Sequence, residues 1–373
     1  MSIFPTRVTL STRGAGQGNF VNMTTHSENE VEVSICASEK SPEWEDFVQH
    51  FPRATFCHAY HWRSIIQGSY GHRPIYLIAK CRGRVRGILP LFLIRSRIFG
   101  RSLTSMPFLD YGGACADSPE VTRVLLTRAI GLLQGVGADY LEIRQCDPLA
   151  ENAAARLDKV SMILDLSPGI EALWQSLPAK VRNQVRKAEK AKLQVTFGGV
   201  ELLEEFYPVF AVNMRDLGSP VHHLDFFTEL YKGFGPQVLS AIIRDRNRPV
   251  GGLVALFFKN TVIVPWASSL REYFPKCPNN LLYWETIKFA SMRGCKRFDF
   301  GRSSLDSGTF HFKRQWGAEP LQIYWQTLTS RGEARTRSTA DNSKYHLALE
   351  IWKRLPVAVT TLIGPRVRKY ITQ

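Results

Sequence analysis

The densest run of chemically useful side chains is Phe298-Asp299-Phe300-Gly301-Arg302-Ser303-Ser304, followed by Gly308-Thr309-Phe310-His311-Phe312-Lys313-Arg314-Gln315-Trp316-Gly317-Ala318. Read as a strand, the first run turns Phe298 and Phe300 to one face and Asp299 and Gly301 to the other. One carboxylate then stands beside a backbone position without a side chain, which suits close approach of a ligand. Arg302 and Lys313 are placed to bind an anion there, or to stabilise an oxyanion as charge develops in acyl transfer. The competing reading is an Asp299–Arg302 ion pair that only closes the strand end. The residues by themselves leave both readings open.

A second signal is the segment Leu177-Pro178-Ala179-Lys180-Val181-Arg182-Asn183-Gln184-Val185-Arg186-Lys187-Ala188-Glu189-Lys190. Arg182, Arg186 and Lys190 recur every four residues, while Val181, Val185 and Ala188 offer a packing face, so a helix here presents a basic stripe. The stripe is read either as a contact for phosphates of a nucleotide- or lipid-linked substrate or as a solvated face. It carries no interleaved aromatics of the kind that stack on bases. Softer candidates for a cleft are Asp110 and Tyr111 before Gly112-Gly113, Trp266 with Ser268 and Ser269, Asn213 and Asp216, and Tyr283. The ordinary alternatives are a turn for the first pair and core packing for the aromatics.

Several chemistries leave no trace. There is no G-x-S-x-G elbow, H-E-x-x-H, P-loop or strand-linked G-x-G-x-x-G. His58, His61, His72, His222 and His223 match no standard metal spacing. The seven cysteines are odd in number and scattered without a C-x-x-C pair, so they read as reduced thiols of a cytoplasmic protein. The 48 Lys+Arg against 33 Asp+Glu give a formal charge of +15, which favours an anionic partner. No spanning helix or secretory leader is read from the sequence.

The elements that must position these residues form an α/β pattern that occurs twice. In the first half, strands around Ile75–Ala79 and Gly87–Leu93 flank Arg82-Gly83-Arg84. A helix bearing Val121, Leu125, Ala129, Leu132 and Leu133 follows, then a strand at Tyr140–Arg144. About 160 residues later, Val238–Ile243 and Gly251–Phe258 flank a turn, Thr261–Ser268 reads as a strand, Asn280–Arg293 as a helix, and Phe298–Phe300 as a closing strand. Gly87-Ile88-Leu89-Pro90-Leu91-Phe92 parallels Gly252-Leu253-Val254-Ala255-Leu256-Phe257, and Leu141-Glu142-Ile143 parallels Phe298-Asp299-Phe300, so a duplicated unit is expected. The expected division is a disordered segment 1–30, one domain over 31–165, and a second over 166–330 with a basic helical linker at 168–192. A polar linker and basic amphipathic tail fill 331–373. The stretch 164–218 reads as helical throughout. The tail, over 347–370, reads as a helix packed on its own protein or lying on an anionic membrane.

Taken together with Pro278-Asn279-Asn280-Leu281-Leu282-Tyr283-Trp284, these motifs resemble the FemAB-like branch of the GNAT acyltransferases. The likeness is closest to the FemAB-related proteins of PEP-CTERM/exosortase and exopolysaccharide systems, and runs from about Trp44 to Trp325. It implies two tandem GNAT-like domains, each a mixed sheet with flanking helices. It also implies direct acyl or aminoacyl transfer to an amine or hydroxyl of an envelope precursor, a nucleotide- or lipid-linked saccharide or peptide. Acyl-CoA or aminoacyl-tRNA would be donor, with no permanently bound cofactor, no metal and no covalent intermediate. The family's Phe-Lys pair matches Phe312-Lys313, which makes Lys313 the expected oxyanion stabiliser and Asp299 the nearest proton relay. Arg302, Ser303, Phe312, Trp316, Asp110, Tyr111, Trp266, Tyr283, Arg182 and Arg186 become the expected substrate contacts. Two departures bear on the donor: neither Pro278-Asn279-Asn280 nor Ser118-Pro119-Glu120 has the glycine pattern of a pyrophosphate loop, and no long coiled-coil arm is present. A non-catalytic membrane-associated accessory factor and a basic nucleic-acid-binding protein are the alternatives from other classes.

Overall fold

The structure, a computed structural model, describes residues 31–96, 100–149, 154–333 and 343–372. The expected disordered segment 1–30 and positions 334–342 of the polar linker lie outside the described residues.

The first unit opens with strand β1 (Glu32–Cys36), helix α1 (Pro42–His50) and helix α2 (Trp62–Tyr70). Pro42 at the first turn of α1 costs no hydrogen bond, and Trp44 and Val48 bury its inner face. Strands β2 (Arg73–Cys81) and β3 (Arg84–Ser96) form the expected hairpin. Its loop is Arg82-Gly83, both at positive φ, the backbone that matches the twist of the flanking strands. After β4 (Gly100–Ser105) and the short β5 (Cys115–Ala116) comes helix α3 (Pro119–Val136). The Ser118 side chain caps α3 by accepting from the Val121 N–H, and Gly137 ends it at φ +69°. Gly87 is where α3 lies directly on β3, because a Cβ there would stand 2.8 Å from both Ala116 and Val121. Strand β6 (Tyr140–Gln145) closes the unit.

The second unit begins earlier and ends earlier than a cut at residue 165. Strand β7 (Lys159–Asp165) leads into helices α4 (Ile170–Ser176) and α5 (Ala179–Lys190), strand β8 (Leu193–Gly198) and helices α6 (Leu203–Asp216) and α7 (Leu224–Phe234). Strands β9 (Val238–Asp245), β10 (Arg248–Phe258) and β11 (Thr261–Ser269) then form a meander. They are followed by helix α8 (Pro278–Met292), strand β12 (Arg297–Ser304), helix α9 (Gly308–Arg314), and strands β13 (Glu319–Gln322) and β14 (Tyr324–Leu328). Two helices close the chain, α10 (Ser343–Arg354) and α11 (Val357–Arg368). Two expectations need correcting. The stretch 164–218 is not wholly helical: Leu193, Val195 and Phe197 alternate with Gln194 and Thr196, and β8 pairs with β9 at the sheet edge. The sheets also exchange strands across the expected boundary, since β7 pairs with β12 and β13 while β14 returns to pair with β6.

The result is two mixed sheets, ordered β1-β2-β3-β4-β6-β14, with β5 beside β3, and β13-β7-β12-β11-β10-β9-β8. The duplication is visible in register. In the first sheet β4 and β6 run parallel only over Ser102–Thr104 against Tyr140–Glu142, and in the second β11 and β12 run parallel only over Thr261–Ile263 against Arg297–Asp299. Glu142 and Asp299 therefore occupy equivalent positions, as the matched sequence runs imply. No helix among the described residues is long and apolar enough to cross a membrane.

Two bulges part β11 from β12. On β11, Val264 and Pro265 oppose the single Ala255 of β10, and Pro265 brings no N–H to a ladder. On β12, Phe300 and Gly301 oppose the single Met162 of β7, with Gly301 at φ +73°. A Cβ at Gly301 would also meet the Val264 carbonyl oxygen at 3.0 Å. Gly301→Ala is expected to cost about 1–2 kcal/mol from the left-handed backbone alone, read as a lower denaturation midpoint. An unchanged midpoint would mean that the bulge tolerates a side chain. A second expectation concerns pH. Burial lowers His58 and His72 from the ordinary 6.5 to about 4 and pulls His222 down as well. The unfolded chain takes up these protons first, so stability falls as pH drops from 6.5 toward 4, measured as a declining melting temperature.

Candidate functional site

The parting of β11 and β12 breaks a ladder, and each exposed backbone group then needs another partner. Side chains supply them on β12. Asp299 accepts from the Gly301 N–H at 2.8 Å, Asp110 Oδ2 accepts from the Arg302 N–H at 3.0 Å, and Lys313 Nζ donates to the carbonyls of Gly301 and Arg302 at 2.8 and 2.9 Å. The bulge is thus held from three sides by groups far apart in sequence.

Beside it lies a cavity of about 230 Å³ between the two units. Asp110 and Cys57 reach it from the first unit, Trp266 and Arg302 from β11 and β12, His222 from the turn before α7, and Arg368 from α11. Asp110 Oδ1 stands 3.4 Å from Arg302 Nε, an ion pair that crosses the units. Burial lowers the Arg302 pKa, which Asp110 partly offsets, while Arg144 and Arg156 push it further down. The local balance favours an incoming anion. Cys57 is held well above the ordinary thiol range by burial and by Asp110 and Asp299, so it is not a ready thiolate.

Asp299 does not face this cavity as a relay would. It is fully buried, with Oδ2 accepting from the Tyr111 hydroxyl at 2.6 Å and Oδ1 from the Ser161 hydroxyl at 2.5 Å. Burial raises its pKa, and the donors Ser161, Tyr111 and Gly301 oppose the rise. With both oxygens engaged, its geometry is that of a latch: Tyr111 belongs to the first unit and Asp299 to the second. Nor is Arg302 paired with Asp299; its partner is Asp110.

Lys313 is also set back from the cavity, 8% exposed behind the bulge. Burial lowers it to about 8, with Asp110 and Asp299 acting in the opposite sense. Ser303 is buried with no partner for its hydroxyl among the described residues. Tyr283 packs against Phe300 and Phe312 at 5.2 and 5.5 Å, and Trp316 stacks on Trp284, so of these expected contacts Tyr283 and Trp316 belong to the core of the second unit and half-buried Phe312 packs against it. The basic helix lies elsewhere too. Arg182 donates to the carbonyl of Gln175, closing the end of α4, and Arg186 lies over the Trp174 ring at 5.6 Å. Of the softer candidates, Asn213 lines the cavity and donates to Ser268, Asp216 pairs with Arg215, and Ser269 bonds Asn279 at the start of α8.

Three arginines near the bulge, Arg144, Arg156 and Arg368, were not singled out in the sequence. Arg144 is fully buried, pairs with Glu142 at 2.6 Å, and lies over the Trp325 ring at 4.2 Å. Arg156 and Arg302 approach the same indole at 5.0 and 5.1 Å. The alternation of Glu142 and Arg144 in an otherwise apolar strand is the signal that could have marked the first. Arg368 has no such signal: the fold of the tail alone brings it to His222 at 3.3 Å. Because arginine Nε must donate, His222 Nε2 accepts, and its proton resides on Nδ1, toward Tyr70.

Residues 175–314 match the family model described as the acetyltransferase (GNAT) domain. No curated protein matches the chain in sequence. Among solved structures, FemX superposes with a TM-score of 0.60 at 13% identity, covering 79% of this chain and 96% of that one. A tandem GNAT protein from the clavulanic acid biosynthesis pathway gives 0.52 at 12% identity, covering 81% and 99%. At such identities the likeness is one of fold. The chain thus has the fold of two GNAT-like α/β units in tandem, with a match to the acetyltransferase (GNAT) domain model over residues 175–314.

Proposed function

We propose that this chain transfers an acyl or aminoacyl group directly from a carrier, acyl-CoA or aminoacyl-tRNA, to an amine or hydroxyl of an envelope or exopolysaccharide precursor. The reaction would take place in the cavity between the units. The observation that carries this reading is the pre-built bulge at Gly301–Arg302: it opens two parallel strands beside a cavity whose rim holds both a guanidinium and a carboxylate.

In this reading Arg302 faces the carbonyl oxygen of the acyl group and is paired more strongly as that oxygen becomes an oxyanion. Asp110 is the carboxylate at the cavity and receives the proton that the attacking amine or hydroxyl must lose; the proton then leaves with the carrier. The acceptor forms its new bond to the carbonyl carbon as the bond to the carrier breaks. The high pKa of Cys57 favours this direct route over a thioester on the protein. Lys313 becomes a positioning residue, fixing the carbonyls of Gly301 and Arg302 so that the guanidinium points inward. The arginines around Trp325 add a field suited to the phosphates of either carrier or of a nucleotide- or lipid-linked acceptor.

Incubating the protein with a panel of acyl-CoAs and charged tRNAs, and following which carrier loses its group, tests the proposal. No deacylation by any carrier in the presence of amine acceptors would contradict it. Arg302→Ala is expected to lower the transfer rate about 10²–10³-fold with little change in melting temperature; full activity in that variant would remove Arg302 from the site. Lys313 is charged below pH about 8 and neutral above it, so the rate is expected to fall as pH rises through about 8. The limb should vanish in Lys313→Met and move to higher pH in Lys313→Arg; a limb unchanged in both variants would show that another group titrates.

A further inference from the structure

The C-terminal helices have two faces with different chemistry. Inward, α11 turns Thr360 and Gly364 into the protein, with Gly364 against Val221, and Arg368 onto His222. Outward, at the spacing of one helix face, stand Ala358, Val359, Leu362 and Arg366. Leu362 is 68% exposed, and Ile351 on α10 is 53% exposed. Isolated exposed apolar residues need no explanation, but Leu362 lines an open groove of about 580 Å³. Pro208 and Ala211 of α6 line one wall, and Val357, Ala358 and Leu362 of α11 the other.

Charge identifies the occupant. Residues 343–372, which span both helices, hold six Lys and Arg against one acid, Glu350; Lys353 pairs with Glu350 at 2.7 Å and Arg368 turns inward onto His222. Arg354 and Arg366 are both exposed. A protein partner with an apolar face would satisfy the leucine but would not call for a flank in which cations outnumber the single acid six to one. An anionic bilayer satisfies both, since apolar side chains enter the acyl boundary while cations meet the head groups.

We propose that α10 and α11 dock the protein on an anionic lipid surface, with the groove between α6 and α11 taking hydrocarbon. This placement does not depend on the transfer reaction. It has a consequence for the cavity, however. Leu217, which lines that cavity, is 55% exposed, and the adjacent Gly218 packs on Leu349 and Lys353 of α10. Docking would therefore set the cavity near the membrane plane, where a lipid-linked acceptor is held.

The full chain, sedimented with vesicles of phosphatidylcholine alone or mixed equally with phosphatidylglycerol, tests this. Binding is expected only to the mixed vesicles and should weaken as salt is raised. Val359→Asp/Leu362→Asp should bind about tenfold more weakly or worse, and Arg354→Ala/Arg366→Ala about tenfold more weakly, with melting temperatures unchanged. No binding to the mixed vesicles at low salt would overturn the proposal. So would equal binding by both double variants, or a dimer in solution that only Val359→Asp/Leu362→Asp dissolves.

Discussion

Everything at the site depends on one buried carboxylate. Asp299 has no exposed surface, and a lone ionised carboxyl in that position would be costly. Three donors make it tolerable, and they come from three places: the bulge itself, β7 and the first unit. Satisfying Asp299 therefore fixes the bulge and the register between the units together. The Asp110–Arg302 pair is held by the same arrangement, because Tyr111 and Asp110 are neighbours in sequence and the groups they meet, Asp299 and Arg302, stand at the two ends of the same bulge.

The two copies of the unit have diverged at this point. In the second, the parted strands open beside a cavity. In the first, the corresponding position is filled by the chain itself: the Thr372 carbonyl accepts from the Phe108 N–H at 2.9 Å and from Arg144 Nη1 at 2.6 Å. Phe108 sits at φ +72°, an unfavourable backbone for such a residue, and the contact to Thr372 helps hold it. One copy has thus become a support that presents Asp110 and Tyr111, while the other keeps the opening.

Much of the fold was legible because its signals are local. The apolar runs Ile75–Ala79 and Gly87–Leu93 on either side of a turn, the capping Ser118 and the paired runs at Leu141 and Phe298 need only a few residues to be read. The run at Asp299 reads as a strand end beside a bare backbone, and in the structure Gly301 lies in the bulge and Arg302 lines the cavity. Its roles were less legible. Whether Asp299 meets Arg302 or Tyr111, and whether Lys313 points inward or grips carbonyls, depends on contacts 11 to 188 residues apart along the chain. Tyr283, Phe312 and Trp316 are substrate contacts only by the family resemblance; in the structure Tyr283 and Trp316 lie in the core of the second unit and half-buried Phe312 packs against it. Strand β8 was hidden between helices because six residues of alternation are weak beside two strong helical periods. The exchange of β7 and β14 between sheets has no sequence mark at all.

The central claim is that a carrier's acyl group enters the opening between β11 and β12. Amide hydrogen exchange over the whole chain, with and without the carrier that the protein deacylates, tests it most directly. The account predicts slowed exchange in residues 263–269 and 300–303 and in the loop 106–112 that supplies Asp110. Protection confined to the basic helix 179–190 or to the outer strands of either sheet would contradict it.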